Sequence, residues 1–409
     1  MTLTSPRLRP DVPVLTSASA LEVARCLAEE LAEGAIERDR ERRLPYAEVE
    51  RIKASGLLSL TVPAQLGGPD LPPSTVSEVF AVLAEADPNI AQAVHSHFVY
   101  CNLLRVSATP AQQAALFDRV LAGRLIANAQ AERSGRTAHD VATTLTLWAD
   151  GRLLLTGTKY YCTGSPFADL VAVLAELDDA TEATGLPHGQ CIVFLPAGTH
   201  GVSVLDDWDA LGQRVTGSGT VMLDRVEVRR RWVVPRTAFD APNGYGAFAQ
   251  LLHASIDVGI ARAALRDAAA FVRTRSRPWF EAGVERAEED PLTVQRFGEL
   301  DVDLIAAEAV LDRARRAVDR VHAEPDDDLA ARASLDVAAA KVLAERAAVG
   351  LGSAVFELCG TRATAPEVGL DRHWRNARTH TLHDPLRWKL QHLGRHVLTG
   401  QVPPRHGAI

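Results

Sequence analysis

GRLLLTGTKYYCTG, residues 151–164, is the stretch on which the fold turns. Its leucines, threonines and tyrosines between two glycines read as a β-strand closed by turn residues. Similar short runs flank it: TTLTLWAD (143–150), DLVAVLAEL (169–177), QCIVFLP (190–196) and GTVMLDRVEV (219–228). Each is bounded by Gly, Pro, Asp or Ser, and the spacing predicts an antiparallel sandwich or barrel over 125–238 rather than βαβ units. Upstream, 1–124 reads as a helical domain. ASALEVARCLAEELAEGAIERD (18–39) and PYAEVERIKASG (45–56) repeat apolar residues at three- and four-residue spacing, and further helices are expected over 74–86, 89–106 and 110–121. Downstream, 239–409 returns to helices that are long and Ala-rich: 244–276, 292–322, a third from the acidic EPDDD (324–328) to Gly360, and two beyond Pro366. Long helices in this order predict a C-terminal four-helix bundle. The fold class is α+β: α-domain, β-domain, α-bundle.

Composition bounds the function. The chain has 409 residues, 47% hydrophobic and 23% charged, an ordinary globular balance able to fill several cores. A net charge of −8 argues against nucleic acid as a partner. The five scattered cysteines contain no CxxC pair, so neither a disulfide framework nor a thiolate zinc site is expected. MTLTSPRLRPDVPVL (1–15) has prolines and arginines where a signal peptide needs an apolar run, and no stretch is apolar enough to span a bilayer. The expectation is a cytoplasmic protein with no membrane partner. No GxGxxG follows a strand, and Walker A, GxSxG and HExxH patterns are missing. Pairs His95/His97 and His380/His383 come without an obvious carboxylate set, so no metal is expected.

Four segments carry a resemblance to the acyl-CoA dehydrogenase superfamily over nearly the whole chain. GTKYYCTGSPFAD (157–169) is similar to that family's flavin-contacting strand segment. WDALGQRVTGSGTVMLDRVEV (208–228) resembles its next hairpin, and HASIDVGIARAALRDAAAFVRTRSRPW (253–279) its first long bundle helix. RHWRNARTHTLHDP (372–385) falls where the dehydrogenases carry their catalytic glutamate. The departures matter. Arg275 is followed by Ser276-Arg277-Pro278-Trp279 instead of the Phe-Gly that helps hold FAD, which argues for FMN over FAD. THTLHDP (379–385), SRPW and the tail PPRHGAI (403–409) look like the flavin monooxygenase branch, the dibenzothiophene and sulfur-acquisition monooxygenases.

The resemblance implies a two-component monooxygenase. FMNH2 from a separate NAD(P)H:flavin reductase would react with oxygen through a C4a-hydroperoxyflavin and oxidise a small organosulfur substrate, in a homotetramer. Histidine titrates near neutrality and can manage the proton of that chemistry. On a helical wheel His373, Asn376, His380 and His383 share a face. His383 is the first choice for acid–base work and His380 the second; the plainer reading is a solvated face. Thr163 matches the position that reaches flavin N5, and Tyr161 would cover the ring; otherwise both are strand residues. Asn128 corresponds to a polar site position, or is a turn asparagine. His95 and His97 are two apart on a helix, so at most one faces a pocket, and His95 is preferred. Arg275 should meet the flavin phosphate, from a neighbouring subunit if not its own. Arg375, Thr361 and Arg362 are further phosphate candidates. The contacts around Glu132 to Arg136 stay open, because AERSGRTAHD (131–140) breaks the dehydrogenase pattern.

The pattern leaves rival readings, a metalloprotein built on the histidines among them. An FAD-containing acyl-CoA dehydrogenase would use Asp384 as base, although Asp384-Pro385 also suits a helix N-cap and first turn. A nitrogen hydroxylase of the same fold, or a non-catalytic helical binding protein, would share much of the pattern.

Overall fold

The computed structural model describes residues 12–137, 140–178, 184–186 and 189–409. Most of the 1–15 leader reading therefore lies outside the described residues. The N-terminal helices are α1 (Ser17–Ala32), α2 (Ala35–Glu41), α3 (Tyr46–Ala54), α4 (Pro73–Ala86), α5 (Pro88–Ser107) and α6 (Pro110–Leu121). The helix expected over 18–39 is two, because Gly34 sits at φ 70° between α1 and α2. Local chemistry sets the starts. Thr16 and Ser19 form a reciprocal capping box on α1; Thr109 and Gln112 do the same for α6, with Pro110 in its first turn.

Among the described residues eight strands form one sheet: β1 (Ile126–Ala129), β2 (Thr144–Leu147), β3 (Leu153–Lys159), β4 (Leu170–Asp178), β5 (Gly189–Pro196), β6 (Val202–Leu205), β7 (Thr220–Val228) and β8 (Val233–Pro235). The order is β6-β7-β3-β2-β4-β5-β8, with β1 also on β4. Most pairings are antiparallel, as expected. Two are not: β1 and β2 lie parallel to successive halves of one edge of β4, Ile126 opposite Leu170 and Thr144 opposite Glu176. The cause is the β2–β3 hairpin, which separates β1 from β4 in sequence and supplies the crossover that a parallel neighbour needs. Strand β4 is apolar along almost its whole length because it is covered on both faces. Leu170, Ala172 and Leu174 join Tyr100, Phe117 and Phe194 against the helices, while Val171, Val173, Ala175 and Leu177 join Leu155, Val193 and Val221 on the other face.

The C-terminal part holds α7 (Tyr245–Arg275), α8 (Pro291–Ala323), α9 (Asp327–Cys359), α10 (Asp371–His380) and α11 (Leu386–Thr399). Helix α7 is the shared beam. It packs on α8, α9 and α10 in the bundle, and on α4 and α5 of the N-terminal part. Gly259 permits a close approach to α4: a Cβ there would stand 2.6 Å from the Ala81 carbonyl oxygen. Among the described residues no helix is long and apolar enough to cross a membrane.

Candidate active site at the junction of the three parts

Helix α5 is the spine of the site. Four of its side chains or carbonyls touch four different segments. Asn89 Oδ1 accepts from Val215 N at 3.3 Å, and Gln92 Oε1 lies 3.2 Å from His380 Nε2. The Ala93 carbonyl abuts Gly164, where a Cβ would meet it at 2.3 Å, and His95 Nε2 donates to Ala249 O of α7 at 3.1 Å. His97, two residues on, points away as helical geometry requires. It accepts from Ile126 N at 3.1 Å and donates to Leu58 O at 2.8 Å, which makes it a buried strut between β1 and the first helices.

On the bundle side, four histidines meet. His95 and His253 face each other with ring centroids 3.9 Å apart, and His383 lies 4.2 Å from His253. His380 Nε2 is 3.0 Å from His253 Nδ1, and its Nδ1 is 2.6 Å from Asp257 Oδ1. Burial holds His95 down at about 3, against the opposing pull of its bond to Ala249. Burial, followed by the neighbouring rings, holds His253 well below the ordinary value. These rings are therefore neutral at physiological pH. His383 is half-exposed and sits at the mouth, its Nδ1 3.0 Å from Asp384 Oδ2. His253, His383 and Asp384 place donor atoms within 4.8 Å of one another. Each already has a partner in the fold: His380, Asp384 and Gln250 respectively, the last at 2.7 Å.

Three expectations change here. The shared face does not reach His383, because α10 ends at His380 and His383 lies in the following turn. His373 is on the helix but binds Asp267 at 2.8 Å, one α7 carboxylate further along. Asp384 is not a helix cap: α11 has no side-chain cap, and the Asp384 carboxylate turns inward to His383 and Gln250. Burial would raise that carboxyl, but His383 and Lys389 hold it far below the ordinary range.

On the sheet side, β3 ends at Lys159 and Tyr161 adopts a left-handed backbone, φ 56°, with its ring exposed beside Trp208. Thr163 N donates back to Tyr161 O at 2.9 Å, so the backbone donor expected at this position is already used. Its hydroxyl begins a chain: Ser218 Oγ at 2.8 Å, then Thr216 Oγ1 at 2.6 Å, then Gln213 O at 3.0 Å. The final carbonyl can only accept, so each hydroxyl donates toward it and Thr163 presents lone pairs to the open side. Asn128 bridges β1 to this turn. Its Oδ1 accepts from Tyr100 Oη at 2.8 Å, and its Nδ2 is 3.5 Å from Tyr161 O. Glu132 is structural: it takes Lys159 Nζ at 2.5 Å, Thr143 Oγ1 at 2.8 Å and two backbone N–H groups.

The phosphate candidates are not brought to this place. Arg375 is committed to Asp39, to Asp371 at 2.7 Å and to Leu211 O at 3.2 Å, so it fastens α10 to α2 and to the 207–219 loop. Arg275 lies 22 residues beyond His253 on the same helix; at the helical rise that is about 33 Å away. There the exposed Thr361 and Arg362 join it, Arg362 Nη1 donating to Arg275 O at 2.7 Å. Within one chain, two clusters form, one around the histidines and one around Arg275.

Sequence reading passed over His253, Asp257, Lys341, Gln250, Ser218 and Trp208. His253 and Asp257 were legible as a polar pair at i, i+4 inside an otherwise apolar helix, HASIDVGIARAAL (253–265). Gln250 precedes them by one turn on the same helix; Lys341, Ser218 and Trp208 come from distant segments and leave no local signal.

The chain matches models of the acyl-CoA dehydrogenase N-terminal domain over 17–124, middle domain over 129–226 and C-terminal domain over 251–388. It is 34% identical over 398 residues to the dibenzothiophene monooxygenase of Rhodococcus qingshengii, covering 93% of each chain. It is 31% identical to the probable FMNH2-dependent monooxygenase SfnC of Pseudomonas putida, covering 94% of this chain and 96% of that one. The FMN-bound structure of TdsC from Paenibacillus sp. A11-2 superposes with a TM-score of 0.89 at 32% identity, over 96% of this chain and all of TdsC. The chain belongs to the acyl-CoA dehydrogenase family.

Proposed function

We propose, from that membership, that this chain is a two-component FMNH2-dependent monooxygenase acting on a small organosulfur compound. A separate NAD(P)H:flavin reductase supplies the reduced cofactor, and the working form is a homotetramer. The observation that carries the reading is the nest of imidazoles, His95, His253, His380 and His383, in the place where a dehydrogenase needs a carboxylate base. Asp384, the base a dehydrogenase would have to use, is held far below the ordinary range by His383, against its burial, and is a correspondingly weak base. The sulfur substrate class is supported by the named relatives.

The residues fit FMN. Tyr161 and Trp208 offer flat apolar surface, Asn128 an amide, and Thr163 an acceptor hydroxyl suited to the N–H edge of a reduced flavin. Gln213, buried in the adjoining loop, has both side-chain amide atoms unpartnered. Bound reduced FMN would supply the electrons that activate dioxygen, one oxygen atom going to sulfur and the other to water. The chain's part is to keep water out and to move a proton, with His383 at the mouth as the donor. Arg275, with no carboxylate partner among the described residues and its guanidinium over the Phe271 ring, would reach the phosphate of a neighbouring protomer's flavin.

The test is rapid mixing of the protein, loaded anaerobically with reduced FMN, with oxygenated buffer. The expected result is a transient flavin spectrum, distinct from oxidised flavin, that outlives the reaction of free FMNH2. His383→Ala should shorten it by roughly a hundredfold, the usual weight of one acid–base group. Direct return to oxidised flavin, together with bleaching of bound FAD by an acyl-CoA, would replace this reading with the dehydrogenase.

A further inference from the structure

Behind the histidine nest lies a line of buried groups that the proposed reaction has not used. Asp257, His253 and His380 are at most 3% exposed, and so is Lys341. Asp257 accepts on both oxygens: Oδ1 from His380 Nδ1 at 2.6 Å, Oδ2 from the Lys341 ammonium. A carboxylate can only accept, so His380 carries a proton on Nδ1; burial disfavours a second proton, and the neutral ring keeps its lone pair on Nε2. That lone pair, 3.0 Å from His253 Nδ1, requires the proton of His253 to sit on Nδ1 as well. Gln92, the longer contact at 3.2 Å, then turns its amide N–H rather than its oxygen to His380 Nε2 and shares the one lone pair with His253, an assignment free to reverse. Each link fixes the next, and the last free position is Nε2 of His253.

We propose that Asp257, His380 and His253 form a proton relay, anchored by Lys341, that presents an unprotonated His253 Nε2 to the site between the rings of His95 and His383. His253 is the group that takes and returns the proton; His380, Asp257 and Lys341 are positioning residues. When Nε2 accepts a proton, the Nδ1 proton of His253 passes to His380 Nε2, and the positive charge comes to rest on His380 against Asp257. Return follows the same path, so no net proton or electron is consumed. The surroundings favour that destination. His253 is pushed down by burial and then by His95, His383 and His380, whereas Asp257 opposes burial at His380. The groups facing the relay are His95 from α5, Lys341 and Glu345 from α9, His383 and Asp384 from the turn after α10, and the buried Lys389 from α11. The relay deepens the monooxygenase reading of this site, but its geometry stands without flavin.

The experiment is neutron diffraction from deuterated crystals of the whole, flavin-free protein. The expected map has deuterons on Nδ1 of His380 and Nδ1 of His253, and none on Nε2 of His253. A deuteron on His253 Nε2 overturns the relay, whatever the enzyme oxidises. Function is read through Asp257→Asn, whose amide donates to His380 and reverses both tautomers. Turnover should fall on the order of a thousandfold and the pH–rate profile should lose the limb belonging to His253, while Asp257→Glu restores part of both. If Asp257→Asn does not fold, Asp257→Asn combined with Lys341→Met removes the charge left unpaired and serves instead. An unchanged pH profile in the folded variant also overturns the relay. A correct map with no organosulfur oxidation by the wild type would sink the functional reading and leave the relay in place.

Discussion

At the scale of the residue, two of the buried charge pairs have different jobs. Lys341–Asp257 lies behind the histidines and sets their protons. Glu132–Lys159 lies under the sheet-side turn and only holds it. Removing one partner of such a pair leaves a buried charge alone, so Glu132→Gln should lower unfolding stability by about 3–5 kcal/mol at neutral pH, read by urea denaturation. Burial works to raise the Glu132 carboxyl, but Lys159, Thr143 and two backbone N–H groups hold it at about 2, below its ordinary 4.5. Its contribution is therefore present above pH 4.5 and lost as the pH falls from there toward 2. The wild type should lose stability across that window, and Glu132→Gln should lose less. No sequence pattern marks Glu132 as structural, because its partners Thr143 and Lys159 come from other strands.

At the scale of the element, the site depends on how closely the Tyr161–Gly164 turn rests on α5. Gly164 has φ 80°, and a Cβ would stand 2.3 Å from Ala93 O. Gly164→Ala should force turn and helix apart, costing about 1–3 kcal/mol and raising the Kd for FMN about tenfold, measured by flavin fluorescence quenching. Gly350→Ala is the contrast. It is exposed on α9, its Cβ would meet nothing within 4 Å, and the change should add about 0.5–1 kcal/mol with Kd unchanged. Elements of this length were legible: α4 to α9 follow the predicted helices to within a few residues, because periodicity and caps act locally. Strands β1, β6 and β8 were not: they are three or four residues long and, unlike β2, do not sit in a longer run of β-formers between turn residues. The parallel pairings on β4 were also hidden, since a strand's neighbours are chosen by the sheet.

At the scale of the molecule, the separation of Arg275 from the histidines demands a second protomer if both serve one flavin. Apolar side chains stand exposed near that end, Trp279 at 62% and Phe280 at 78%, and again on α8 and α11, where Leu292 is 76% and Leu398 84% exposed. Arg275→Ala and His383→Ala should each be inactive alone. Refolded or expressed together, they should recover about one functional site in four by random pairing of protomers, scored as substrate turnover. No recovery would mean that Arg275 serves its own chain or none.

What the sequence determined by itself was the order of parts and the chemistry they carry. Hydrophobic periodicity, caps and turn residues act within a dozen residues, and the HWRNARTHTLHDP segment (373–385) announced histidines without a glutamate. Only the tertiary structure decided which histidines meet. His95 reaches Ala249 of α7 across 154 residues of chain, and His380 reaches His253 across 127. It also turned Asp384 inward, tied up Arg375 and carried Arg275 to the far end of α7. The physical reason is the same throughout: a proton's place and a charge's partner are set by groups within about 3 Å, and those groups come together only when helices from different parts of the chain are packed.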